Sequence, residues 1–288
     1  MDAWLGRRKT KNEYKSIATR LSLWGQSRGV PGASPAWATR LAHRIASSSN
    51  PKLTERFIRT YKIDYAKATK CSSKNTAGEC AAKYGSLNEF FTRHIKGIVI
   101  EAGDIVSPAT CKAVVYDTFD SSRVWVKGLL WSAPRLLRMN ATFQDHAVGI
   151  FRLRPADYHR FHIPSGGRIS SIRHIQGSYL SVDPIVVGRT NVLTENNRVV
   201  VTIKSPLYGT YYVIAVGAAG VGRVVIERTV NETVRAGEPL GAFEFGGSTV
   251  VILIPNKNGA AVWDSALVAA AARGTEVKVD VGTRMSVR

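Results

Sequence analysis

Two hydrophobic patterns divide the chain. Between residues 34 and 97, apolar residues recur every three to four positions, a spacing that predicts amphipathic helices. From residue 98 onward, short β-branched and aromatic runs alternate with turn residues, which predicts strands. The sequence therefore predicts an α+β fold, in which N-terminal amphipathic helices precede a mostly antiparallel β sandwich or barrel-like domain. We divide the chain into a basic extension (1–33), a helical, membrane-facing region (34–97) and a β-rich domain (98–288).

The helical region begins with its clearest amphipathic segment, "SPAWATRLAHRIASSS" (34–49). A helix there places Trp37, Leu41 and Ile45 on one face and two arginines on another. This helix either packs on the domain or lies in a membrane interface. Further helices are predicted at 52–68, 86–95 and 263–273, and a loop is predicted at 70–79.

Charge is concentrated in the first third of the chain. The net charge is +19, and residues 1–100 carry 19 Lys/Arg against 6 Asp/Glu, which accounts for +13 of it. Such a region indicates an anionic partner, or else a merely solvated face. Zinc-finger, RNP and basic-zipper motifs are absent from the sequence, so we expect no nucleic acid and favour an anionic phospholipid membrane.

The cysteines give no metal or disulfide signal. Cys71, Cys80 and Cys111 form no CxxC pair, and no His/Cys cluster has metal-ligand spacing. We therefore expect no metal site and three reduced thiols. No apolar run reaches the ~20 residues of a membrane span, and the N-terminal residues have no signal-peptide core.

The stretch "FEFGGSTVVILIP" (243–255) has two interpretations. Gly246 and Gly247 supply the positive φ angles of a tight turn, so a β-hairpin is one. The other makes Ser248 a nucleophile, because glycines before it leave the preceding carbonyl open to attack.

This stretch and its neighbours resemble the phosphatidylserine decarboxylase family. "GEPLGAFEFGGSTVVILI" (237–254) is similar to the family's self-cleavage segment, and "RPADYHRFHIPSGGRI" (154–169) to its histidine motif. "GSLNEFFTR" (85–93) resembles its N-terminal signature. Four further segments follow in the family's order, at 125–137, 177–184, 193–201 and 216–224.

The resemblance implies a reaction of the chain on itself. The Ser248 hydroxyl attacks the Gly247 carbonyl, the amide becomes an ester, and β-elimination cuts the chain between the two residues. Ser248 becomes a pyruvoyl group, a covalent cofactor that forms a Schiff base with an amine substrate and accepts the electrons released with CO2.

The resemblance also assigns the histidines. His162 matches the family's base and His159 a second motif histidine. The family's orienting Asp is replaced by Thr110, in "VSPATCKAVV" (106–115). Without a carboxylate we expect an unfixed imidazole tautomer and slow self-cleavage, unless Asp104 or Asp117 substitutes.

Two hypotheses remain. The first is a pyruvoyl-dependent phosphatidylserine decarboxylase that makes phosphatidylethanolamine and CO2 at a membrane surface, with Arg198 pairing with the substrate phosphate or carboxylate. A soluble amino-acid decarboxylase is a variant of it. The second is a non-catalytic, uncleaved lipid-binding relative, because Thr110 cannot support His162.

The expected partners are phosphatidylserine, an anionic membrane and, as an assembly, a homodimer. We expect a peripheral membrane protein, on a cytoplasmic membrane face or on the mitochondrial inner membrane. The second location rests on an acid-poor, Arg- and Ser-rich stretch between Glu13 and Glu55, which is equally typical of a basic membrane-facing segment.

Overall fold

The computed structural model describes residues 36–102, 104–118, 132–141, 143, 145–181, 186, 191–218, 223–246, 248–256 and 262–286. The predicted basic extension (1–33), the side chain of Trp37 and Gly247 lie outside this description. Within it, no helix is long and apolar enough to cross a membrane.

The predicted N-terminal helices are present, though shorter than expected. The described helices of this region are α1 (Ala36–Ser47), α2 (Pro51–Tyr61), α3 (Ala77–Ala82) and α4 (Leu87–Phe91). Asn50 caps α2, where its side chain accepts a hydrogen bond from the Leu53 N–H and Pro51 occupies the first turn. Apolar side chains of these helices, including Phe57, Phe90 and Phe91, form a separate core.

Helix α3 lies where the sequence predicted a loop. Thr76 and Glu79 form a capping box, since each side chain accepts a hydrogen bond from the other residue's backbone N–H. This T-x-x-E spacing was the available signal for a helix start.

The expectation of three reduced thiols was wrong for two of them. Cys71 and Cys80 form a disulfide, whereas Cys111 is free and buried. Sequence spacing missed this pair because the turn before α3, and not a motif, brings the two Cα atoms to 5.4 Å.

Two antiparallel sheets confirm the predicted α+β fold, which is sandwich-like and not a closed barrel. The larger sheet has the order β11-β1-β2-β10-β6-β5-β4-β8, and the smaller has the order β3-β9-β7. The larger sheet contains β1 (Cys111–Tyr116), β2 (His146–Leu153), β4 (Gly167–Ile175), β5 (Arg198–Ser205), β6 (Gly209–Gly217), β8 (Thr233–Val234), β10 (Ser248–Pro255) and β11 (Val277–Val279). The smaller contains β3 (Arg160–His162), β7 (Val224–Ile226) and β9 (Pro239–Phe243).

In the described part of the chain, three short helices pack against the β region. They are α5 (Ala133–Leu137), α6 (Val192–Glu195) and α7 (Ser265–Ala272), the last of which confirms the helix predicted near the C-terminal end. One core contains side chains from both sheets, such as Phe161 of β3 and Val250 of β10. A second core covers the other face of the large sheet and includes Leu136 and Leu137 of α5.

The hairpin interpretation of residues 243–255 is wrong. β9 pairs with β3 and β7 in the small sheet, whereas β10 pairs with β2 and β6 in the large one. The chain therefore changes sheets between Phe243 and Ser248. The glycine stretch is a crossing between two sheets, and Ser248 begins the strand that follows.

Candidate active site

Ser248 is the first residue of β10 and is fully buried. On this strand Val250, Ile252 and Ile254 belong to the core shared by the two sheets. Because side chains alternate along a strand, Ser248 faces the same side. Its Oγ atom is buried without a hydrogen-bond partner among the described residues. A buried hydroxyl without a partner costs about 1–3 kcal/mol, so its retention calls for a functional explanation.

The backbone before Ser248 has a conformation that favours glycine. Gly246 has φ +143°, a value that side-chain-bearing residues rarely adopt. Phe245, one residue earlier, is held by the hydrogen bond from its N–H to Asn88 Oδ1 (2.8 Å). The segment before Ser248 is thus tied to α4 of the helical region. Gly247, predicted to carry the scissile carbonyl, lies outside the described residues.

His159 is fully buried and stacks on Phe91, with ring centroids 3.8 Å apart. Its Nδ1 donates a hydrogen bond to the Asp157 carbonyl oxygen (2.9 Å). Because a carbonyl only accepts, the proton is on Nδ1 and the lone pair is on Nε2. That Nε2 is buried and has no described partner. Burial lowers the pKa of His159 to about 3, so its ring is neutral at pH 7.

His162 is also buried, but both of its ring nitrogens have contacts. Nδ1 donates to the Gly237 carbonyl oxygen (2.8 Å), and Nε2 lies 3.3 Å from the Tyr158 hydroxyl. Burial lowers the pKa of His162. The ladder between β3 and β9 is irregular between Phe161 and His162, so simple strand alternation does not assign the side to which this ring points.

Thr110 lies at the same end of the large sheet as Ser248. It precedes β1, whose Lys112 pairs with Arg152, and Arg152 in turn pairs with Thr249. Its hydroxyl accepts a hydrogen bond from the Val281 N–H (3.2 Å). The segment before it contacts the histidine motif through the His162 N–H, which donates to the Pro108 carbonyl (2.8 Å).

The expected loss of ring orientation at His162 was wrong. Thr110 supplies no carboxylate, yet the Gly237 carbonyl fixes the tautomer with the lone pair on Nε2. The suggested substitute Asp117 follows the far end of β1, where its Oδ1 accepts from the backbone of Val262 and Trp263. No described contact joins Asp104 to His162. Sequence reasoning missed Gly237 because its carbonyl, not a side chain, makes the contact.

Arg198 is 1% exposed. Its guanidinium donates to three backbone carbonyls, those of Leu136, Asn196 and Arg135. Burial lowers the pKa of Arg198 to about 10. The described contacts thus use this side chain to join β5 to α5, and its contact with a substrate phosphate or carboxylate stays a prediction.

The fold and this group of residues define a candidate nucleophile site. A buried serine without a hydrogen-bond partner begins a strand after a glycine crossing, in an α+β protein that also buries two neutral histidines. The family model for phosphatidylserine decarboxylase matches residues 87–285. The chain belongs to the phosphatidylserine decarboxylase family.

Named relatives agree with this assignment. Phosphatidylserine decarboxylase proenzyme 2 of Saccharomyces cerevisiae is 35% identical over 254 residues, which cover 84% of this chain and 21% of the relative. The Clostridium tetani phosphatidylserine decarboxylase proenzyme is 32% identical over 238 residues, covering 80% of this chain and 76% of the relative. Proenzyme 2 of Oryza sativa subsp. japonica is 35% identical over 218 residues, or 71% of this chain and 34% of the relative. The chain thus spans about a fifth to a third of the longer relatives.

Proposed function

We propose that the chain is a self-processing phosphatidylserine decarboxylase that acts on an anionic membrane surface. The observation that best supports this proposal is the Ser248 hydroxyl, which is buried and has no described hydrogen-bond partner. It stands at the position that resembles the family's cleavage site. The residue fits a pyruvoyl precursor, since Gly246, two residues before it, adopts a φ that favours glycine. A pyruvoyl group formed there supplies an electron sink for the loss of CO2.

His162 is the proposed base for the Ser248 proton. Both imidazoles have the lone pair on Nε2, and burial lowers the pKa of both. A ring with a pKa of about 3, as in His159, is a weak base at neutral pH. His162 has the position that resembles the family's base, and its Nδ1–H is already held by Gly237. The Tyr158 hydroxyl has to leave Nε2 when His162 accepts the serine proton.

His159 is the proposed acceptor for the substrate's ammonium group. Its Nε2 has a lone pair and no described partner, and stacking on Phe91 holds the ring in place. A neutral acceptor in a buried position favours an ammonium donor, because a hydrogen bond to a charged group is worth about 1.5–3 kcal/mol. Phe91 also packs on Phe245 of the cleavage segment, with ring centroids 5.1 Å apart.

Helix α1 supports the proposed membrane location. Leu41 and Ile45 are 48% and 51% exposed, and Arg40 and Arg44 are exposed beside them. Apolar insertion together with basic residues is the combination that binds anionic bilayers. His43 of the same helix contacts Glu244 at 2.7 Å, four residues before Ser248, so α1 lies next to the cleavage segment.

The test is the intact mass of the purified protein. We expect wild type to split into residues 1–247 and 248–288, with the second fragment blocked to Edman chemistry, and to release CO2 from phosphatidylserine. Ser248→Ala is expected to remain one chain. Ser165→Ala is the matched control, because the Ser165 hydroxyl is equally buried and has no described partner. It is expected to split.

A non-catalytic lipid-binding relative is the alternative, and the Thr110 contact with Val281 is the observation that favours it. In that case wild type stays a single chain after long incubation with anionic lipid, yet still binds the vesicles. A homodimer and the cytoplasmic or mitochondrial location remain proposals.

A further inference from the structure

The segment around α4 connects three parts of the site. Asn88 accepts the hydrogen bond from the Phe245 N–H of the cleavage segment (2.8 Å). Phe91 stacks on His159. The Thr92 carbonyl accepts from Arg160 Nη1 of the histidine motif (3.3 Å). The next residue, Arg93, is therefore held where the helical region meets both motifs.

Arg93 is a buried cation that has no anionic partner in the described part of the chain. Its side chain is 5% exposed, and Nη1 donates to the Phe90 carbonyl (3.1 Å) while the guanidinium lies 4.5 Å from the Phe90 ring centroid. Its Nε is buried with no hydrogen-bond partner among the described residues, and no described carboxylate forms an ion pair with it. Burial lowers the pKa of Arg93 to about 10, which leaves it charged at neutral pH. An uncompensated buried charge is costly, so its retention requires a reason.

The neighbouring Arg160 differs from Arg93 because it has an anionic partner. It forms an ion pair with Glu227, which compensates its charge. The field of Arg93 also acts on the motif: it lowers the pKa of His159 in the same direction as burial, and it lowers the pKa of Tyr158 against a larger burial effect. As far as the described residues show, Arg93 is thus an uncompensated positive charge beside the histidine motif.

We propose that Arg93 binds the phosphodiester group of the lipid substrate. This inference rests on the proposed function. Guanidinium groups bind phosphate oxygens with strong, charge-assisted hydrogen bonds. The Nε–H group of Arg93 can donate one, because it has no described acceptor. The substrate carboxylate is the weaker choice, because its charge is lost with CO2, and an ion pair to it would stabilise the ground state over the transition state. The phosphodiester keeps its charge throughout.

The first experiment compares Arg93→Gln and Arg93→Lys with wild type in detergent micelles. For Arg93→Gln we expect normal chain splitting, a KM for phosphatidylserine raised at least about tenfold, and a similar rise in the inhibition constant of phosphatidylethanolamine. Arg93→Lys keeps the cation and is expected to lie within about threefold of wild type. Arg59→Gln, at an exposed arginine of α2 paired with Glu55, is the matched control and is expected to behave as wild type.

The phosphatidylethanolamine measurement separates the two anions, because this product has the phosphodiester and lacks the carboxylate. If Arg93→Gln raises the KM for phosphatidylserine but leaves the inhibition constant of phosphatidylethanolamine unchanged, then Arg93 binds the carboxylate. That result would overturn the assignment to the phosphodiester. If the Arg93→Gln chain splits normally and has the wild-type KM for phosphatidylserine, then Arg93 makes no substrate contact that matters for binding. Absence of splitting and of CO2 release in wild type counts against the proposed function instead.

A second measurement needs no variant and no turnover. Glycerophosphoethanolamine, which has the phosphodiester, is expected to raise the melting temperature of wild type, because a ligand that binds only the folded state stabilises it. Ethanolamine, which has the same amine without the phosphodiester, is expected to raise it less. Equal shifts with the two compounds would contradict the inference, even if Arg93→Gln does not fold.

Discussion

The Nδ1 atom of His162 donates a hydrogen bond to the backbone carbonyl of Gly237 across 2.8 Å. This contact fixes the tautomer as a carboxylate at position 110 would, because it holds the ring proton on Nδ1 and leaves the lone pair on Nε2. Gly237 has φ +80°, and a Cβ there would approach Ile100 to 2.4 Å. The carbonyl is therefore placed by a backbone conformation that favours glycine.

Thr110→Asp is expected to change the rate of chain splitting by less than about threefold. The ring proton that an aspartate would accept is already bound to Gly237, so the ~10⁴-fold tautomer effect known for triads is not available. The measurement is the time course of release of residues 248–288 on a denaturing gel. Thr110→Asn is the isosteric neutral control. An acceleration of tenfold or more with Asp alone would show that a carboxylate reaches His162 and that Gly237 does not suffice.

His162→Gln and His159→Gln are expected to fail at different steps. The first removes the proposed base and should leave the chain uncut. The second should permit splitting but abolish CO2 release, because the acceptor for the substrate ammonium is lost. Intact mass and CO2 release, measured on the same preparations, separate the two outcomes. A cut His162→Gln chain beside an uncut His159→Gln chain would reverse the two assignments.

Acid should destabilise the protein through His159. Its pKa is about 3 in the fold and ~6.5 in the unfolded chain, so the unfolded state binds more protons between these values. The contribution is fully present above about pH 6.5 and is lost as pH falls towards 3, by up to about 5 kcal/mol.

Urea unfolding from pH 7 to pH 4 measures this effect. His159→Gln should lose less stability over that range than wild type. His174→Gln is the control, since His174 is exposed on β4. Parallel pH curves for wild type and His159→Gln would show that His159 is not the buried neutral group.

Vesicle binding should depend on the exposed face of α1. Arg40→Gln/Arg44→Gln is expected to weaken binding to phosphatidylserine vesicles about tenfold or more, since each basic residue near the surface contributes about 1 kcal/mol. Leu41→Ser/Ile45→Ser should weaken it by loss of apolar insertion. Leu207→Ser, at a 64% exposed leucine on the turn between β5 and β6, should have no effect. If both double variants still bind the vesicles, and binding does not depend on salt, then α1 is not the membrane anchor.

The sequence by itself determined the local elements and the family. Helical spacing located α1, and β-rich runs located the strands, because periodicity records which face of an element is buried. The motifs around Ser248 and His162 indicated the family, and the family match over residues 87–285 bears this out. These features are carried by residues close together in the chain.

Only the tertiary structure decided which distant groups meet. The placement of β9 and β10 in different sheets and the burial of Arg198 against carbonyls of α5 both depend on long-range packing. The Gly237 contact is the clearest case, because the accepting atom is a backbone carbonyl. Every residue has one, so no residue identity marks it, and its position follows from the path of the folded chain.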